Sequence, residues 1–275
     1  MFLGSSFAFL PSLAAAFGGA ASTSVGYAGL LIGAALAIGL GKQIYGGLGN
    51  NPFNPVLVGR VGLLIALPAL MTTWSPARGM EESYPEYQSF GMTEPVSTTG
   101  ATTCGGATEL TTCATPLGVA SMLPPAEAGK NRFAKIDNSA MWKEYFIGRQ
   151  GGCIGETCAP ALLLGGILLV LFNLINWRVP LYFAGTVFVL SGIVHYFFPQ
   201  ITPTPLFHLL TGGLLLGAIF MAAAMVTSPI SGTGCVIFAI GCGAITTVIR
   251  IWGNYPEGVS FSILFMNALV PRPDV

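Results

Sequence analysis

The sequence predicts an all-α, polytopic membrane protein with about 7–8 transmembrane helices, and three observations carry that expectation. Charged residues make up only 8% of the chain and apolar residues 53%, whereas a soluble domain holds about 25% charged residues. Apolar runs of roughly twenty residues recur along the chain, the length that crosses a bilayer as a helix. One long polar excursion separates two apolar blocks. The organisation read from this is N-terminal transmembrane helices over 1–74, a long loop over 75–150 and C-terminal transmembrane helices over 151–275.

Composition also excludes functions. The net charge is zero, so no basic field exists to hold nucleic acid. The six cysteines form no pair of C-x-x-C clusters that could cage zinc or an iron–sulfur centre. Cys153 and Cys158 bracket CIGETC at a spacing too loose for a metal, and the thiols read as packed side chains. His195 and His208 have no partner at metal spacing and read as helix-contact residues.

Taken in order, residues 1–20 are apolar but lack the basic start of a secretory signal, and read as a short span. Their GSSFAF is similar to a transporter helix of nucleobase permeases. SVGYAGLLIGAALAIGLGKQIY is a good second span ending near Lys42. GGLGNNPFNPVLVGR is crowded with Gly, Asn and Pro where the next helix starts. It reads either as a plain helix entry, capped by Asn with Pro setting φ, or as a broken helix whose freed amides face a cofactor or ion, an arrangement tolerated only inside protein; the family resemblance given below favours the second. Arg60 falls inside the next span, VLVGRVGLLIALPALMTTW, and an intramembrane arginine needs a partner or water.

The polar loop carries Glu81, Glu82, Glu86, Glu94 and Glu109 ahead of Thr111-Thr112-Cys113-Ala114-Thr115-Pro116-Leu117. Small neighbours leave a threonine hydroxyl reachable there, and Pro116 has no backbone donor. A loop this long in a compact membrane protein is functional or disordered. EYFIGRQGGCIGETCAPALLLGGILLVLF then leads back into the membrane. Four more spans follow: PLYFAGTVFVLSGIVHYFF, LFHLLTGGLLLGAIFMAAAMV, GCVIFAIGCGAITTVIRIW and GVSFSILFMNALVP. Gly49-Asn50-Asn51-Pro52 before one span echoes Gly253-Asn254-Tyr255-Pro256 before the last. That echo reads equally as turn chemistry or as inverted repeats with paired interrupted helices around a central site.

Short-loop charges set the orientation. Lys42, Arg178 and Arg272 fall on one side and Arg250 alone on the other, so the first side is cytoplasmic and the 75–150 loop extracytoplasmic.

In motif order, YGGLGNNPFNP, MTTW, the ATPL stretch, GETCAPALLLGG, INWRVPL, FHLLTGG, VTSP and YPEGVSFSILFMNALVP resemble the D subunit of the Rnf ion-translocating electron-transport complex. The B subunit of the sodium-translocating NADH:quinone reductase is a relative in the same family, and MTTW resembles the Rnf branch more closely. The resemblance runs from about Gly41 to the C-terminus, while residues 1–40 match poorly, which implies that the family's first spans are missing or replaced.

The resemblance implies a covalent FMN, attached as a phosphoester to the last threonine of Ser/Thr-x-Ala-Thr. That residue is Thr115 here, with Thr112 and Ala114 completing the motif. The family has an aspartate six residues earlier, where this chain has Glu109. Asn54, Arg60, Glu156, Thr227, Ser228 and Glu257 are the further cofactor-site candidates, with Arg60 and Glu257 at the membrane-embedded ends of two repeat halves. No catalytic or metal residue is expected on this chain.

Implied partners are the membrane and redox subunits of a complex, a flavin transferase and the lipid bilayer. Riboflavin or a second flavin in the complex, coupling to Na⁺ or H⁺, and a bacterial or archaeal inner (plasma) membrane location are implied as well. The family's Ala-Thr-Asp-Pro before VTSP reads Ala222-Ala223-Ala224-Met225 here, which removes a buried acid. With no Rossmann glycines and no cysteine clusters, the chain cannot take electrons from NADH or ferredoxin unaided. The competing class is a small-solute channel or transporter, nucleobase- or urea-type, without redox activity.

Overall fold

The computed structural model describes residues 29, 31–47, 49–71, 93–95, 111–113, 115–123, 132–134, 136–150, 152, 155–253 and 257–270. The expectations placed on residues 1–28, on MTTW beyond Met71, on Glu81, Glu82, Glu86, Glu109, Ala114, Cys153 and Arg272, and on Asn254 to Pro256 lie outside the described residues.

Helix dominates. In chain order the helices are α1 (Leu31–Tyr45), α2 (Pro55–Ala66), α3 (Pro68–Met71), α4 (Pro116–Met122), α5 (Ser139–Ile147), α6 (Ala159–Leu171), α7 (Arg178–Phe197), α8 (Pro205–Leu210), α9 (Leu214–Leu216), α10 (Gly232–Trp252) and α11 (Val259–Leu269). The exception is a small antiparallel pair, β1 (Thr93–Pro95) and β2 (Thr111–Cys113), with Thr93 opposite Cys113 and Glu94 opposite Thr112.

Among the described helices, α7 and α10 are long and apolar enough to cross a membrane, while α1, α2, α6 and α11 are apolar but shorter. Large apolar side chains such as Leu164, Ile167 and Leu171 on α6, or Val189 and Ile193 on α7, are exposed. A helix apolar on its outward face as well as its inward one suits lipid rather than water. With lipid outside, packing and close backbone approach hold helices together. At the α7–α10 crossing a Cβ on Gly243 would stand 2.6 Å from the Thr186 Cβ and 2.9 Å from the Phe183 carbonyl oxygen, so only glycine fits. Phe183 and Val187 of α7, Phe238 and Cys242 of α10, Ile263 of α11 and Leu57 of α2 form the main core.

Two runs expected as single spans are interrupted. VLVGRVGLLIALPALMTTW leaves helix at Leu67 (φ −135°, ψ 59°), because Pro68 disfavours helical geometry at the residue before it and offers no N–H of its own. LFHLLTGGLLLGAIFMAAAMV breaks at Thr211–Gly213, where Gly212 has φ +69°. It resumes as α9 and a π-helical stretch, Gly217–Met221.

Another π-helical stretch, Leu36–Leu40, lies in α1. Each π stretch leads into a proline-containing loop and then a capped helix. Asn51-Pro52-Phe53-Asn54 ends on the cap of α2, where the Asn54 side chain accepts from the Val56 N–H. Ser228-Pro229-Ile230-Ser231 ends on the cap of α10, where the Ser231 hydroxyl accepts from the Gly234 N–H. The first loop therefore corresponds in position and capping to Ser228–Ser231; the echo at Gly253–Pro256 falls largely outside the described residues.

Within the 75–150 loop, described residues between 115 and 150 form a packed cluster. Leu117, Val119, Phe133, Ile136, Met141 and Tyr145 bury against Phe207 of α8, and the Tyr145 hydroxyl donates to the Ile136 carbonyl at 3.0 Å. Asp137 fastens this cluster to α8, because its carboxylate accepts from the Thr204 N–H, the Thr204 hydroxyl and the Trp142 indole N–H.

Candidate flavin site and the buried charge cluster

Thr115 stands at the join between β2 and α4. Its backbone is extended (φ −68°, ψ 152°), Pro116 occupies the first helical position, and Thr115 Oγ1 accepts from the Gly118 N–H at 3.1 Å. This is an N-cap, worth about 1 kcal/mol to a helix. Gly118 leaves the oxygen room, since a Cβ there would approach Oγ1 to 3.3 Å. Thr115 as a whole is 6% exposed. Thr112 lies on β2, opposite Glu94.

Leu117, two residues on, seats in a notch at Gly212. A Cβ on Gly212 would lie 2.6 Å from Leu117 Cδ1 and 3.1 Å from Arg250 Nη2. The notch is the break between α8 and α9, and the break explains the residues around it. A helix end leaves carbonyls without partners. The Phe207 carbonyl takes the Thr211 N–H and the Thr211 hydroxyl. His208 and Thr211 carbonyls accept from Arg250 Nη1 at 2.6 Å and Nη2 at 3.4 Å. The Leu210 carbonyl accepts from Gln150 Nε2 at 3.2 Å. Gln150 and Arg250 thus close off the end of α8.

Arg250 is consequently a buried residue, 9% exposed, and not the loop charge that its place in the sequence suggests. Among the described residues, the short-loop charges that remain for the orientation expectation are Lys42 and Arg178. Glu156 is also buried, and a Cβ on the neighbouring Gly213 would stand 2.8 Å from its Oε2.

Arg60 and Glu257 form an ion pair, Nη2 to Oε2 at 2.5 Å. The Glu257 main-chain carbonyl in turn accepts from Arg250 Nε at 3.1 Å. Two arginines and two glutamates therefore lie in one buried neighbourhood, with both Glu257 and Glu156 in electrostatic range of Arg250. The histidines sit alongside: His208 Nε2 is 2.7 Å from the Thr202 hydroxyl and His195 Nδ1 is 2.8 Å from the Thr202 carbonyl oxygen.

Asn54, Thr227 and Ser228 gather elsewhere, on the seam between the two capped loops. Asn54 Nδ2 donates to the Met221 carbonyl at 3.2 Å, a group freed where the π stretch ends. The Asn267 amide, oriented by its neighbours, donates to the Thr227 carbonyl at 3.2 Å and accepts from the Asn54 N–H at 3.3 Å. A cavity of about 950 Å³ opens beside this seam, lined by Asn50, Asn51, Thr227, Ser228 and Asn267 with apolar residues between them, and none of its described lining residues is charged. Thr227 Oγ1 is buried with no hydrogen-bond partner among the described residues.

The sequence candidates therefore divide in two. Glu156, Arg60 and Glu257 gather around Arg250 behind the α8–α9 break, to which Thr115 is linked through Leu117, and Asn54, Thr227 and Ser228 lie on the seam. Arg250, Gln150, Gly212 and Asn267 were not singled out as site residues. The signal for Arg250 was present, as a cation inside an apolar run; Gln150 and Asn267 are ordinary polar residues with none. Among the described residues no His, Cys, Asp and Glu cluster could hold a metal ion. Of the cysteines, Cys235 and Cys242 are buried as expected, while Cys158 is exposed.

Residues 17–274 match the family described as NQR2, RnfD, RnfE. The chain belongs to that family. The match begins well before Gly41, so the likeness reaches further toward the N-terminus than the motifs indicated.

Among its relatives, the D subunit of an ion-translocating oxidoreductase complex from Stutzerimonas stutzeri is 45% identical over 88% of this chain and 66% of its own length. The D subunit of a proton-translocating ferredoxin:NAD(+) oxidoreductase complex from Clostridium ljungdahlii is 38% identical over 88% of this chain and 65% of its own. A Na(+)-translocating counterpart from Acetobacterium woodii is 35% identical over 88% and 62%. The chain thus spans just under two thirds of the length of these relatives.

Proposed function

We propose that this chain is a membrane subunit of an ion-translocating oxidoreductase complex and that it carries FMN as a phosphoester on Thr115. The observation that carries the reading is the way Thr115 is held. Its Oγ1 serves as an acceptor toward Gly118, and esterification removes only the hydroxyl proton, so the cap survives the modification. The Gly118 clearance beside that oxygen fits the same group. When bound, FMN supplies the electron-transfer chemistry.

The chain's own residues place and surround that chemistry. Pro116 and the cap fix the direction in which the Thr115 side chain leaves α4. Leu117 anchors the motif in the Gly212 notch, and the Arg60, Glu257, Glu156 and Arg250 cluster sets the charge behind it. Because Thr115 is buried, a flavin transferase would act before α4 packs against α8. Electrons would enter and leave through partner redox subunits, and coupling would be to Na⁺ or H⁺. The stretch Ala222–Ala224 offers no carboxylate to that coupling.

On this reading the chain lies in the inner (plasma) membrane of a bacterium or archaeon, crosses it about seven or eight times through inverted repeats, and holds the Thr115 loop on the extracytoplasmic side. The uncharged cavity at the seam suits the neutral ring system of a second flavin, such as riboflavin.

The same cavity favours a second reading, a small-solute channel or transporter. One experiment separates them. After coexpression with a flavin transferase, the denatured chain should fluoresce in the gel and its Thr115 peptide should carry the mass of FMN. A chain with neither property would fit the transporter.

A further inference from the structure

We propose that Arg250 is the residue that tunes the Thr115-borne flavin, its positive charge favouring the reduced form. The inference rests on the reading of Thr115 given above and concerns a residue that the motif does not contain. Arg250 sits in the last turn of α10, and its guanidinium reaches the Gly212 notch that Leu117 fills from the other side. The acceptor threonine is thereby tied, two residues away, to a buried cation.

The charge of Arg250 is not cancelled by direct pairing. Its three hydrogen bonds among the described residues all go to main-chain carbonyls, those of His208, Thr211 and Glu257. The Glu257 carboxylate is engaged by Arg60, and Glu156 is the other carboxylate that acts on Arg250. His208, whose carbonyl Arg250 holds, shares its ring nitrogen with Thr202.

Reduction adds negative charge to a flavin ring. In a medium of effective dielectric near 20, Coulomb's law lets a fixed cation change such an equilibrium by on the order of tenfold over separations of roughly ten ångströms. The carbonyl fork also explains why the cation stays fixed: it terminates α8, so Arg250 cannot swing away without exposing two buried acceptors.

The test uses the full chain assembled with its complex and flavinylated in the cell, titrated with dithionite in a spectroelectrochemical cell. Arg250→Gln removes the charge but keeps an amide donor for the carbonyls. It should retain the FMN adduct by mass while the reduction equilibrium of this flavin falls about tenfold, or about 30 mV for a two-electron couple. Arg250→Lys should stay close to the wild-type potential. Glu156→Gln leaves Arg250 in place and removes an opposing charge, so it should shift the potential upward, which keeps the idea testable if Arg250→Gln fails to accumulate. Adduct retained with potentials unmoved in the charge-removing variants overturns the proposal. A wild-type chain with no adduct on Thr115 overturns the underlying reading instead.

Discussion

Arg60 and Glu257 stand 197 positions apart and meet in an ion pair at 2.5 Å. The arginine side chain is 10% exposed and the glutamate 22%, and α2 and the loop before α11 are joined by it. Removing one member of a buried pair leaves the other uncompensated, which costs roughly 3–5 kcal/mol, whereas replacing both by apolar residues is often neutral. Arg60→Leu should therefore lower thermal stability in detergent more than Arg60→Leu combined with Glu257→Leu does. Equal losses in Arg60→Leu and in the double variant would show that a stranded Glu257 carries no penalty of its own. Electron transfer through the complex should be impaired in Arg60→Leu, and unchanged turnover would leave the arginine with a purely structural part.

At Thr115 the expectation is chemical. Thr115→Ala should lose FMN from the peptide and about 1 kcal/mol of helix capping, while Thr115→Ser should keep at least some adduct because it offers the same hydroxyl. Thr111 and Thr112 are the neighbouring alternatives, and an adduct that persists in Thr115→Ala moves the site to one of them.

Gly118→Ala separates the room around Oγ1 from the hydroxyl itself. The added methyl would arrive 3.3 Å from that oxygen, so flavin incorporation should fall although every motif residue is intact. Peptide mass spectrometry of matched preparations measures this, and full incorporation would show that the clearance is not used.

Asn54 has two tasks, capping α2 and holding the Met221 carbonyl across the seam. Asn54→Ala should cost the cap, about 1 kcal/mol, and strand a buried carbonyl at about 1–3 kcal/mol more. Asn54→Asp keeps the cap acceptor but loses the donor to Met221, and should fall between the two. A thermal unfolding series on the three proteins reads the order directly.

Sidedness follows from Lys42, Arg178 and Arg272, now unopposed by Arg250. Cys104 and Cys113 lie in the long loop, so an impermeant maleimide added to intact cells should label one or both. Labelling that appears only after lysis, with an unfolded control to exclude shielding, would place the loop inside.

Local chemistry was legible along the chain. Apolar run lengths located α7 and α10 within a residue or two, and the Asn and Pro at the start of α2 carried its capping signal, although the family resemblance favoured a broken helix there. Leu67-Pro68 and Thr211-Gly212-Gly213 carried the signals that end helices, but the hydrophobicity around them outweighed those signals and two runs were read as continuous spans. Asn54 and Ser231, each capping a helix after a π stretch and a proline-containing loop, correspond in capping geometry, which similarity of letters does not rank.

By itself, then, the sequence determined what depends on near neighbours: membrane character, helix starts, and a threonine motif whose family likeness names a flavin. The tertiary structure decided which distant groups answer the helix breaks. Once α8 ends at Leu210, its buried carbonyls must be satisfied, since a buried acceptor left without a partner is costly. Any donor in the chain could have served. That Arg250 took the carbonyls of His208 and Thr211, leaving Arg60 for Glu257, follows from how the helices pack, because the partner of a freed carbonyl is fixed by position in space and not by separation along the chain.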